Sequence, residues 1–166
     1  MKLKTHEIFS FGILGSVGII LGGGLISLIP AIIISYTVNN IIDKYGHYKD
    51  WAGIIRRSYK THSVLRATLI GSVVSIIVFV LFYFVFQKFL LYILIQGLIV
   101  GITHLILDIW TPAGIVYKPI KNWGLAENKG WVKIRLGKVK NNDFDVNLMF
   151  NGFSVLVLIL VYLGGI

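Results

Sequence analysis

The chain has 166 residues, of which 56% are hydrophobic and 14% charged, and its mean hydropathy is +0.81. That composition excludes an ordinary water-soluble globule, and the absence of cysteine excludes a disulfide framework, a thiolate metal site and a catalytic thiol. The net charge of +9 sits in short basic segments between long uncharged runs, the pattern of a membrane protein meeting anionic headgroups and not the basic stripe of a nucleic-acid reader.

Ile8 to Ile42 carries no charged residue. As one straight helix it would be about 52 Å long against a hydrocarbon core of about 30 Å, so a single span is excluded. Gly22, Gly23 and Gly24 lie near its middle and favour a turn, which predicts a helical hairpin with arms over about 8–21 and 25–43. The first arm is short for a full span and is read as tilted or re-entrant. A cleaved leader is the rejected reading of this start, because Glu7 abuts the apolar run and the run continues without a break. Residues 64–86 match the roughly 20 residues of a spanning helix, and Gln87 and Lys88 turn the chain into a fourth segment over 89–110. The fifth covers 146–166. The predicted class is therefore an all-α integral membrane protein, one transmembrane domain over residues 1–166 built as a bundle of about five hydrophobic helices.

Basic residues decide the expected topology. Lys2 and Lys4 precede the first run, a second group from Lys44 to Arg66 follows the hairpin, and a third from Lys118 to Lys140 follows the fourth segment. The positive-inside tendency puts all three groups in the cytoplasm and leaves Lys88 outside. The N-terminus is then cytoplasmic, the C-terminus outside, and the loops 44–63 and 111–145 lie on the inner side. Within 111–145, Trp123 and Trp131 suit headgroup depth, and Val132, Ile134 and Leu136 alternate with Lys133 and Arg135. A small β-like interfacial lid and a solvated basic loop are both consistent with that pattern.

Ionisable groups at membrane depth are costly and are therefore functional suspects. His104 and Asp108 are four residues apart, so they leave one helix face a turn apart, a spacing that serves a shared metal or one His-to-carboxylate hydrogen bond. Asn39 and Asp43 repeat the spacing, and His47 follows Gly46. Asp43 and Asp108 lie near helix C-termini, where the macrodipole disfavours a negative charge and asks for a cation, either a neighbouring Lys or Arg or a bound divalent ion. The expected topology brings His6, Asp43, His47, His62, His104 and Asp108 to one membrane depth, although low polarity in the spans pushes ionisable groups toward loops in any case. Histidines and carboxylates without cysteine suit Zn, Mn or Fe. Arg56, Arg57 and Lys60 make a basic approach to the third helix that suits phosphate oxygens, while inside-positive anchoring is the plainer reading of each one singly.

Thr5-His6, Lys60-Thr61-His62-Ser63, His104-Leu-Ile-Leu-Asp108 with Thr111-Pro112-Ala113-Gly114, and Pro119 together resemble the predicted membrane-bound metal-dependent hydrolases, a family that includes LexA-regulated inner-membrane proteins of bacteria. The resemblance extends through most of the chain and implies that the THS-like and HxxxD-like motifs form parts of a metal site. Two departures mark a divergent member. Pro30 is followed by Ala31 where the family has an acidic cluster, and Arg57 stands where it has a histidine, leaving Asn39, Asp43 and His47 as substitutes by position. The Ile, Lys and Gly usage suggests an archaeal or viral branch.

The leading expectation is a polytopic hydrolase acting at the cytoplasmic face on a phosphate-bearing or lipid-linked substrate. It assigns a divalent metal to His6, His62, His104 and Asp108, chemistry to His62, Asp43 and His47, and anion binding to Arg56, Arg57 and Lys60. A non-catalytic envelope or scaffold protein is the alternative, its polar groups tying helix ends together by hydrogen bonds. A transport subunit is a weak third, since the spans carry no charge at mid-depth.

Overall fold

The computed structural model describes residues 2–49, 55–58, 60–112, 114–119, 131–134, 136–137 and 143–164. Among the described residues, five long helices make up an all-α multi-pass membrane bundle: α1 (Leu3–Gly18), α2 (Leu28–Gly46), α3 (Val64–Phe86), α4 (Tyr92–Ile109) and α5 (Phe144–Leu163). Two short antiparallel ribbons accompany them. β1 (His47–Lys49) pairs with β2 (Ile55–Arg57), and β3 (Ile115–Pro119) pairs with β4 (Trp131–Ile134), with a bulge between Val116 and Lys118. Residues 120–130, with Trp123, and Arg135 lie outside the described residues.

The long uncharged run breaks where its glycines stand. α1 loosens into a π turn over Ile19–Gly23 and then a 3-10 turn over Gly24–Ser27 before α2 begins. Gly22 at φ 82° and Gly24 at φ 53° take left-handed conformations that a Cβ disfavours. The buried Gln96 side chain on α4 ties both arms together at the break: its Nε2 donates to Leu14 O at 2.9 Å and Ser27 O at 3.2 Å. Antiparallel contacts close the hairpin at its far end, where Ser35 donates to Glu7 O and Asn40 to the Glu7 side chain.

α1 lies between α2, α4 and α5 and meets them with small residues, Ser10, Gly12, Gly15, Ser16 and Gly18. Ser10 and Thr103 share a buried hydrogen bond at 2.8 Å, and Thr5 donates to Asn147 of α5 at 2.7 Å. α3 and α4 approach closely at Gly71, Gly97 and Gly101. Leu14, Ile34, Val38, Ile42, Ile93 and Val100 fill the centre. Apolar side chains also cover the outside: Leu69, Val85, Phe84 and Leu160 are more than half exposed, as lipid-facing residues are. The helices extend past the uncharged runs at the polar end. α1 already begins at Leu3 and α2 continues through Asp43 to Gly46, so His6 and Asp43 are helical.

Replacing Gly22 and Gly24 together by Ala should lower stability by roughly 1–2 kcal/mol per position, because both must hold a left-handed conformation. Gly152→Ala is the contrast: a Cβ there meets nothing within 4 Å, and the helix gains up to about 1 kcal/mol. Thermal unfolding in detergent reads both. Equal effects of opposite placement would put the turn elsewhere.

Candidate metal centre

One end of the bundle gathers the ends of four helices. His6 comes from the start of α1, Asp43 from the last turn of α2, His47 from the following residue of β1, and His104 and Asp108 from the last turns of α4. His62 sits two residues before α3, in a turn where His62 N donates to Ser58 O at 3.1 Å and Ser58 N to Gly46 O at 2.6 Å. Gly46 is where α2 presses against that turn. A Cβ there would overlap the Thr61 hydroxyl and the His62 ring, so a glycine is what lets the ring approach α2.

His6, His62, His104 and Asp108 are almost wholly buried, Asp43 is 18% exposed and His47 31% exposed, so solvent reaches the group from the α2–β1 side. His104 Nε2 lies 3.3 Å from Asp108 Oδ2 and 3.6 Å from Asp43 Oδ1. His62 Nε2 lies 3.5 Å and 3.8 Å from the same two oxygens, and His6 Nε2 is 3.4 Å from Asp108 Oδ1. The His6 and His104 rings stack at 4.1 Å. A tetrahedral ion with bonds of about 2.0–2.1 Å sets its ligand atoms roughly 3.3–3.4 Å apart, so the shorter of these separations match the edges of such a site.

Hydrogen bonds fix which nitrogens carry lone pairs. Asn39 Nδ2 donates to Ser35 O at 2.7 Å and to His6 O at 3.4 Å, both acceptors only, which turns Asn39 Oδ1 toward His104 Nδ1 at 2.7 Å. That oxygen accepts, so His104 Nδ1 holds the proton and Nε2 presents its lone pair to the cluster. Thr61 Oγ1 stands 2.8 Å from His62 Nδ1 and can accept its proton in the same sense. Burial pushes the His62 imidazole down to about 4, against the upward pull of Asp43, so the ring is neutral at pH 7. Nε2 of His62, Nε2 of His104 and both oxygens of Asp108 receive no hydrogen bond among the described residues. Buried polar atoms are rarely left so, and lone pairs converging on one point are what a cation answers.

Arg57 supplies the one fixed positive charge described at the cluster. Its guanidinium is 2.6 Å from Asp108 Oδ1, an ion pair off hydrogen-bond alignment, and it donates to Thr111 Oγ1 at 2.7 Å and Gly114 O at 2.9 Å. Thr111 in turn donates to Asp108 O at 2.8 Å.

A family model described as "Protein of unknown function (DUF1286)" matches residues 1–107. The chain belongs to the DUF1286 family. Comparison with curated proteins and with solved structures finds no match. The DUF1286 match takes in α1 to α3 and nearly all of α4, and with them every donor of the cluster except Asp108, which follows the matched stretch directly.

Six residues singled out in the sequence thus meet in space: His6, Asp43, His47, His62, His104 and Asp108. The basic trio separates. Arg57 turns inward and is 8% exposed, held by Asp108, Thr111 and Gly114; Lys60 is exposed; the Arg56 side chain lies outside the described residues. Asn39, placed by its spacing beside Asp43, holds His104 from across the bundle, and Thr111 and Gly114 hold Arg57. Nothing in the spacing of Asn39, Thr61 or Thr111 distinguishes such supporting contacts from helix caps or packing.

Proposed function

We propose that this protein is a membrane-embedded, metal-dependent hydrolase whose centre lies at the cytoplasmic face and acts on a phosphate-bearing or lipid-linked substrate. The observation that carries the reading is the convergence of buried imidazole and carboxylate lone pairs of His62, His104 and Asp108 that have no hydrogen-bond partner among the described residues. Hydrogen bonds that hold a ligating ring from behind, as Asn39 holds His104, are the usual companions of a metal site. His62, His104 and Asp108 hold the ion, with His6 beside Asp108 and Asp43 facing both imidazoles. A divalent ion there supplies Lewis-acid polarisation of a substrate oxygen and lowers the pKa of water. Asp43 and His47, the partly exposed members, stand where a proton is taken up or released toward solvent. Arg57 offsets the Asp108 charge and does not reach outward for an anion.

The cytoplasmic placement is supported by the charge distribution: the cluster shares its end of the bundle with the basic residues from Lys44 to Arg66, whereas Lys88 lies between α3 and α4 at the other end. One observation favours the scaffold reading instead, namely the Arg57–Asp108 pair, which ties β2 to α4 with no ion needed.

Metal analysis separates the two. Purified protein in detergent should carry a divalent metal that a chelator removes, together with activity against a panel of phosphomonoesters and lipid phosphates. His62→Ala, His104→Ala and Asp108→Asn should each lose most of the metal, and pairs of them should lose little more, because groups on one ion fail together. Lys88→Ala should keep it. A parent protein with no metal at any pH, or three variants that retain it, leaves the scaffold reading standing. Orientation has its own test, clean because the chain lacks cysteine: an impermeant thiol reagent should reach Lys88→Cys from outside and Lys60→Cys only from the cytoplasmic side. Labelling of both from one side contradicts the placement.

A further inference from the structure

The cluster contains more donors than one ion uses. Four imidazoles and two carboxylates meet there, against the four ligands of a tetrahedral site. They divide into two sets. His6, His104 and Asp108 form a fully buried set, and Asp43, His47 and His62 a set on the solvent side; within each, one ligand atom from every residue lies within 4.8 Å of the others. The rings form a continuous row, His6 stacking on His104 at 4.1 Å, His104 meeting His62 edge-on at 5.5 Å, and His47 leaning on His62 at 5.0 Å. The sets abut, since His62 Nε2 is 3.5 Å from Asp108 Oδ2 and His104 Nε2 is 3.6 Å from Asp43 Oδ1. His62 Nε2 is wholly buried and has no hydrogen-bond partner among the described residues, so the outer set also holds an unanswered lone pair.

Charge limits what the two sets can hold at once. Asp43 and Asp108 bring two negative charges and Arg57 one positive charge. One divalent ion therefore leaves the cluster with a single net positive charge. A second would raise that to three, beside groups sealed from water, where uncompensated charge is expensive. The second ion needs an anion of about two charges with oxygens able to face both metals. A phosphate monoester dianion is such a ligand; a neutral ester or amide brings no charge at all. Two metals clamping one phosphoryl group is an established way to hold the attacking and leaving oxygens of a displacement.

We propose that the working site is dinuclear: His104 and Asp108, with His6 beside them, keep the first ion, and His62, whose Nε2 is 3.5 Å from Asp108 Oδ2 and 3.8 Å from Asp43 Oδ1, passes from that ion to join Asp43 and His47 around a second one taken up together with a phosphate-monoester dianion. This rests on the metal-centre reading above and gives it a substrate class.

Mn²⁺ and inorganic phosphate are the probes. Metal-stripped, full-length protein in detergent is equilibrated with Mn²⁺ alone and with Mn²⁺ plus phosphate, then freed of excess ion, and bound manganese is counted while electron paramagnetic resonance tests for a spin-coupled pair. The expected result is one Mn per chain without phosphate, two with it, and a coupled signal only in the second case. His47→Gln should hold one Mn under both conditions, and that retained ion shows the variant to be folded. A single Mn in the presence of phosphate, a variant that still takes two, or a variant that takes none would overturn the division into two sets. Two Mn without phosphate would overturn the dependence on the anion. Protein that binds no Mn under either condition would remove the metal centre itself, a failure distinct from all of these.

Discussion

The polar end of this bundle is organised by the need to keep one carboxylate, Asp108, inside it. Asp108 is fully buried, in the last turn of α4, where the helix macrodipole also opposes a negative charge. Moving such a group out of water costs several kcal/mol even after relaxation, so its surroundings must return that energy through opposite charge and close donors. Arg57 answers from one side at 2.6 Å. Three imidazoles face it from the other, and the Nε2 atoms of His62 and His104, without hydrogen bonds among the described residues, leave room for a second positive charge that is not part of the chain. Removing Arg57 while Asp108 stays would leave a buried charge half answered, the kind of change that costs about 3–5 kcal/mol.

The fold serves that arrangement by bringing four helix ends to one depth. Alternating helix directions place the start of α1, the end of α2, the approach to α3 and the end of α4 together, and the glycine break after Gly18 is what lets α1 and α2 lie antiparallel. The opposite end and the outer surface need little beyond apolar side chains, because lipid makes no demand except that backbone groups be paired. At the hairpin, Gln96 donates from α4 to a backbone carbonyl of each arm. Gln96, Ser10 and Thr103 make hydrogen bonds between helices, whereas at the cluster several buried nitrogens and oxygens gathered at one place have none among the described residues.

Much of the fold is legible in the sequence because a bilayer allows few solutions. A 35-residue stretch without charge, Ile8 to Ile42, is too long to cross once, and three glycines at its middle mark the turn. The helix bounds at the polar end are less legible: α1 begins at Leu3 and α2 ends at Gly46, since helices continue through headgroup depth where charged residues such as Lys4 and Lys44 are tolerated. For the cluster, HxxxD spacing places His104 and Asp108 on one face, and charge counting brings His6 and His62 to the same depth. Direction is what spacing does not encode. Arg57, basic and between loops, reads as a surface residue for an anion, yet β1–β2 pairing sets it opposite His47 and it turns into Asp108. Asn39 shares a face with Asp43 by count but bonds to His104 on another helix, a relation only the packed bundle creates.

Direct binding of an ion by His62, His104 and Asp108 is visible to X-ray absorption at the metal edge of purified protein. The expected spectrum has nitrogen and oxygen neighbours at about 2.0–2.2 Å, no sulfur, and the multiple scattering of at least two imidazole rings, with the imidazole signal reduced in His104→Ala. An all-oxygen shell without imidazole scattering, or a spectrum unchanged in that variant, would contradict it.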